Sequence, residues 1–193
     1  MMNSLKVSCA WVFFLCLVAS YPLWAQAATP ASSQQSCRNF VQGFYDWYIP
    51  KMTNPTPLPA EELALKYRSA SFDPELARAL HEDFVASGKN PQEIVGLDFD
   101  PFLNTQDPSE KYVLGSVTLQ GEGCWVEIFS IDSGKKNATP DVVSELRFKN
   151  GRWIFMNFHY GKTKTTADSN LTTILDTLRK GRLKSARRHS RDE

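Results

Sequence analysis

Apolar residues in the first half of the chain recur at helical spacing and those in the second half recur at alternate positions, so helices are expected before strands. In Cys37-Arg-Asn-Phe-Val-Gln-Gly-Phe-Tyr-Asp-Trp-Tyr-Ile-Pro50, five of the twelve residues from Arg38 to Ile49 are aromatic. Phe40, Phe44, Trp47 and Tyr48 stand at i, i+4, i+7 and i+8, one apolar stripe of a helix. Burying four such rings contributes on the order of 6 to 12 kcal/mol, at roughly 1.5 to 3 kcal/mol each. This helix is therefore expected to nucleate the core, with Ser36 as its N-cap and an end at Pro50 or a frayed turn beyond it. The three prolines of Thr53–Pro59 make a stiff connector. Ala60–Tyr67 reads as a short helix, and Asp73-Pro74 opens another whose stripe is Leu76, Ala77, Leu80 and Phe84 and whose end is Gly88.

Gly96–Pro108 mixes apolar residues with acids and prolines and reads as an ordered loop. After it the period changes to two. Tyr112–Leu119, Cys124–Ile131, Val142–Phe148 and Trp153–Tyr160 are β-branched and aromatic runs separated by Gly-rich turns, which predicts a four-stranded antiparallel meander. In the second run Cys124, Val126, Ile128 and Ser130 share one face, and Trp125, Glu127, Phe129 and Ile131 share the other. If Cys124 reaches Cys37, the Val126/Ile128 face packs on the aromatic helix, and the opposite face needs cover from the C-terminal segment or a second subunit. Asn170–Leu178 is expected as a last short helix. The fold class is α+β: N-terminal helices on a curved antiparallel sheet, with a short C-terminal helix.

Composition adds an address. Residues 1–27 carry Lys6, the apolar run Trp11–Ala19 and Ala25-Gln26-Ala27, the pattern of a cleaved secretory signal. The run is too short for a transmembrane span. A periplasmic or secreted protein is expected, with residues 28–36 a disordered lead-in and 37–178 a single domain. The two cysteines beyond the signal, Cys37 and Cys124, then lie where thiols oxidise, and a disulfide between them is the economical reading. A reactive thiol pair is the rival, without the Cys-x-x-Cys spacing that would support it.

The formal net charge of +1 conceals an asymmetry. Seven basic residues fall within 179–193, while residues 28–178 hold 14 Lys and Arg against 19 Asp and Glu. That terminus is expected as a basic, disordered tail making at most weak contact with an anionic surface. It has no aromatics for base stacking, and with export this argues against nucleic acid.

Three motifs together carry a resemblance. Phe44-Tyr-Asp-Trp-Tyr48, Leu97-Asp-Phe-Asp-Pro-Phe-Leu-Asn-Thr-Gln-Asp107 and Asn150-Gly-Arg-Trp-Ile-Phe155 resemble a family of small bacterial envelope proteins, domain of unknown function 3828, over about residues 38 to 160. The resemblance implies a nuclear transport factor 2-like cone of helices on a curved sheet enclosing a pocket, and it supplies no catalytic residues. The family's last strand often carries acids after its Trp, whereas this chain reads Trp153-Ile-Phe-Met-Asn-Phe-His159.

Candidate chemistry is sparse. Asp98, Asp100 and Asp107 have carboxylates suited to a hard cation, but their spacing is not that of a calcium loop and Pro101 interrupts it, so turn and cap hydrogen bonds are expected instead of a metal. Glu127, Glu145, His159, Tyr45 and Tyr48 are the candidates for a pocket, with Tyr45, off the aromatic stripe, best placed to touch a ligand. Nucleophile-elbow, zincin and phosphate-loop motifs are absent from the sequence. No cofactor is expected. The leading expectation is a non-enzymatic binding module holding a small apolar ligand or an envelope protein in a cone cavity or on a sheet face, as a homodimer in one version. The alternative is a cofactor-free isomerase or hydratase with an acid–base site in the pocket. Neutralising a toxic effector also fits size and export, though no residue singles it out.

Overall fold

A computed structural model describes residues 32–54, 56–89, 95–161 and 170–192, the side chains of 189–192 excepted. The expected signal, 1–27, lies outside the described residues. The order is α1 (Gln34–Thr53), α2 (Ala60–Arg68), a 3-10 turn (Ser69–Ser71), α3 (Pro74–Lys89), β1 (Lys111–Gln120), β2 (Gly123–Asp132), β3 (Lys135–Lys136), β4 (Val142–Lys149), β5 (Arg152–Tyr160) and α4 (Leu171–Asp192). The class is α+β, as expected. The sheet runs β1-β2-β4-β5, antiparallel and not closed, with the two-residue β3 as a fifth strand paired to β2.

The disulfide and the facing of β2 follow the alternation argument. Cys37 is bonded to Cys124, and Cys124, Val126, Ile128 and Ser130 are all buried on the α1 side of the sheet. Asn150 and Gly151, both at positive φ, make the tight turn between β4 and β5, where an Asn-Gly pair is best tolerated.

Several boundaries differ from expectation. The N-cap of α1 is Ser33, whose Oγ accepts from the Ser36 amide at 3.1 Å, so residues 34–36 are helical and not a disordered lead-in. Ser36 Oγ instead donates to the Ser33 carbonyl at 2.8 Å and accepts the Trp153 indole N–H at 2.9 Å. Pro50 sits inside α1, which ends only where the Asn54 amide donates to the Pro50 carbonyl. Asp73 does cap α3, accepting the Glu75 amide at 3.1 Å, and the helix runs one residue past Gly88. The largest difference is at the C-terminus. The segment expected as a disordered basic tail continues α4 to Asp192, anchored by buried Leu171 and Leu175 and by Arg182.

The buried face of α1 is Cys37, Val41, Phe44, Tyr45 and Tyr48, while Phe40 and Trp47 are only half-buried. Phe44 lies at its centre, 4.9 to 5.7 Å from the rings of Tyr48, Phe72, Phe102 and Phe155. Phe158 closes the cluster at 5.1 Å from Phe102 and from Phe155. These rings fill the space between α1 and the sheet where the resemblance implies a pocket. Both sheet edges are also engaged. On β1, Gln34 Nε2 donates to the Val117 carbonyl at 2.9 Å and Arg38 donates to that of Gly115. On β5, Phe72 bridges to Phe155 and Asn170 to His159.

Candidate functional site

With the interior filled, polar chemistry collects on the outer face of the sheet. Paired residues of antiparallel strands share a face. Trp125 on β2 therefore stands opposite Glu145 on β4, which stands opposite Asn157 on β5, while Val143 stands opposite His159. Glu145 and His159 are thus diagonal neighbours, and His159 Nε2 lies 2.9 Å from Glu145 Oε2, both side chains mostly covered. The Trp125 ring packs against the His159 imidazole with centroids 4.9 Å apart. A carboxylate orienting an imidazole beside an indole forms a hydrogen-bonding platform with one aromatic wall. Next to it is an open concavity of about 420 Å³ lined by Gln120, Glu122, Gly123, Trp125, Glu145 and Arg147.

Of the other expected residues, Glu127 is on this face but apart from the pair, accepting the Ser116 amide at 3.2 Å where β1 is irregular. Among the described residues the C-terminal segment meets this face at Asn157, which accepts the Thr172 amide and donates to the Asn170 side chain, each at 3.1 Å. Lys136 lies 3.8 Å over the Phe129 ring, and α4 packs on α3 and β5.

Tyr45 and Tyr48 belong to the core. They are 2% and 0% exposed, which corrects the expectation that they face a ligand. The Tyr45 hydroxyl donates to the Phe102 carbonyl at 2.8 Å and the Tyr48 hydroxyl to Asp100. Tyr45 was misplaced because a helix wedged between a sheet and a loop buries a wider arc than one stripe. Burial pushes both phenols well above their ordinary value, and the nearby Asp100 charge adds to it.

Asp100 is itself only 7% exposed. Its Oδ1 accepts the amides of Phe102 and Leu103, each at 2.8 Å, which folds Pro101–Asn104 into a turn. Burial pushes its carboxyl up to about 7, against the lowering effect of the Tyr48 hydroxyl and the two amides. Asp98 and Asp107 are exposed, so the three acids do not converge. Among the described residues no group of three or more His, Cys, Asp and Glu is placed to hold a metal ion.

A second polar node was not foreseen. Asp83 on α3, 0% exposed, binds Arg182 of α4 at 2.5 Å and accepts the Leu97 amide at 2.8 Å. Arg182 also donates to the Val95 carbonyl at 3.0 Å. Gly96 passes so close that a Cβ there would lie 2.0 Å from Ser87 Oγ and 2.7 Å from Asp83 Oδ2. A signal for this node exists in the sequence: Asp83 continues the Leu76, Leu80 stripe at i+7, and Arg182 continues Leu171, Leu175, Leu178 at i+11. Opposite charges on two core-facing stripes are a pairing signature. A groove of about 220 Å³ separates α3 from α4, floored by Leu76, Ala79, Met156 and Leu175. The three arginines on its rim are already paired, Arg78 with Glu75 and Glu82, Arg179 with Asp176, and Arg182 with Asp83.

The chain matches no family model, no curated protein and no solved structure. No helix among the described residues is long and apolar enough to cross a membrane.

Proposed function

We propose that this is an exported, non-enzymatic binding module that takes a small ligand or a protein partner on the outer face of its sheet, at Trp125 and the Glu145–His159 pair. One observation carries this reading: aromatic rings occupy the interior, whereas the outer face keeps an indole and an oriented carboxylate–imidazole pair beside an open concavity. Aromatic walls with a few oriented polar groups are what recognition sites use. The disulfide is in keeping with an oxidising compartment. The test is a titration of fractionated envelope extract against isotope-labelled protein, followed by NMR. Signals of Trp125, Glu145 and His159 should move while those of Phe44 and Phe155 stay, and Trp125→Ala should abolish the response without changing the fold. Shifts confined to α3 and α4, or a response that Trp125→Ala leaves intact, would overturn it.

A second reading, a cofactor-free isomerase or hydratase, is favoured by the 2.9 Å contact alone. In the tautomer whose Nε2–H donates to Glu145, Nδ1 of His159 carries the lone pair that a general base uses. Turnover that survives both Glu145→Gln and His159→Gln would end it.

A further inference from the structure

We infer that α4 is a second, independent interaction surface, a cationic stripe that adsorbs the protein to an anionic lipid bilayer. The stripe follows from how the helix is pinned. Leu171 and Leu175 are buried and Arg182 turns inward to Asp83, so one side of α4 is committed to α3 and β5. At 3.6 residues per turn, Lys180, Lys184 and Arg187 stand at i, i+4 and i+7 on the opposite side. Lys180, Lys184, Arg187 and Arg188 are exposed, Lys180 also bridging to Asp176 at 2.5 Å.

Lys180 to Arg187 extends about 10 Å along a straight helix, a linear array that matches a flat surface. Leu183, 55% exposed, flanks the stripe and offers an apolar contact to the headgroup region. The rest of the chain orients the molecule: residues 28–178 are net acidic, so an anionic surface repels the body and attracts α4. A bilayer is favoured over a nucleic acid because the stripe has no aromatic for base stacking and the Cys37–Cys124 disulfide belongs to an oxidising compartment.

The test is co-sedimentation of the full chain with phosphatidylcholine vesicles, with and without phosphatidylglycerol, at low and high salt. Binding is expected to the anionic vesicles and to fall steeply with salt. Lys184→Gln, Arg187→Gln and Arg188→Gln combined should weaken it about 100-fold, at roughly fivefold per charge. A charge-matched control, Lys111→Gln, Lys135→Gln and Arg152→Gln, should change it less than about fivefold. Equal losses in the two variants, salt-insensitive binding, or equal binding to pure phosphatidylcholine would overturn the proposal. So would tighter binding to a duplex oligonucleotide than to the anionic vesicles. Because the wild-type salt and lipid dependence is read separately, a variant that failed to fold would leave the proposal falsifiable.

Discussion

Asp83 and Asp100 are both carboxylates inside the protein, and they are held by opposite means. Asp83 meets a guanidinium, at 2.5 Å from Arg182, and an amide of the loop at Leu97. Asp100 has a phenol and two backbone amides as its recorded partners, with no cation among them. The cation ties together segments a hundred residues apart in sequence, so the Asp83 node is tertiary glue. Dipoles supplied by the adjoining turn and by Tyr48 shape one loop and leave the charge uncompensated. Burial then wins, and the Asp100 carboxyl rises to about 7.

The sharpest way to break this contrast is to remove the cation. Arg182→Met leaves Asp83 buried with no counter-charge, and the loss expected for a broken buried pair is about 3–5 kcal/mol. Urea denaturation measures it, and helical circular dichroism should fall as the outer turns of α4 lose their anchor. Adding Asp83→Leu to Arg182→Met should recover much of the stability, because the isolated charge is then gone. A loss below about 1 kcal/mol in the single variant would mean the pair is no better than a surface bridge.

Asp100 should reveal itself through pH. Its folded-state pKa is raised above the ordinary value of 3.8, to about 7. Its stabilisation is therefore fully present below about pH 3.8 and is lost as pH rises through about 7. Between pH 8 and pH 5 the wild type should gain roughly 2–3 kcal/mol from this group relative to Asp100→Asn, which keeps the shape and has no proton to take up. Parallel stability curves for the two proteins across that window would show that Asp100 does not titrate there.

What the sequence disclosed follows the same division. The strand runs, their facing and the disulfide were legible because alternation is local and Cys124 fixed its sign. The filling of the interior was not, since the ring-bearing residues Phe72, Phe102, Phe155 and Phe158 come from three separate stretches whose convergence no single period encodes. The segment 179–193 reads as disorder because its composition is charged. Within it Arg182 ties the helix to the body of the protein, and its partner Asp83 lies 99 positions away. Of the outer site, the candidate residues Glu145 and His159 were named, but their pairing depended on strand register, which the turns constrain only within two residues or so.

The finest distinction lies within the tyrosines around Asp100. Tyr48 donates to the carboxylate, whereas Tyr45 and Tyr160 donate to the carbonyls of Phe102 and Pro101. Tyr48→Phe removes a hydrogen bond that favours the charged form, so the Asp100 midpoint should move up from about 7 and stability at neutral pH should fall by about 1–2 kcal/mol. Tyr45→Phe should cost a similar amount while leaving the Asp100 midpoint nearly in place, because its lost bond is to the backbone. Carbon-13 NMR titration of the Asp100 carboxyl reads both midpoints. If the two variants moved the midpoint equally, the carboxylate would be responding to general repacking of the aromatic core and not to the one hydroxyl that touches it.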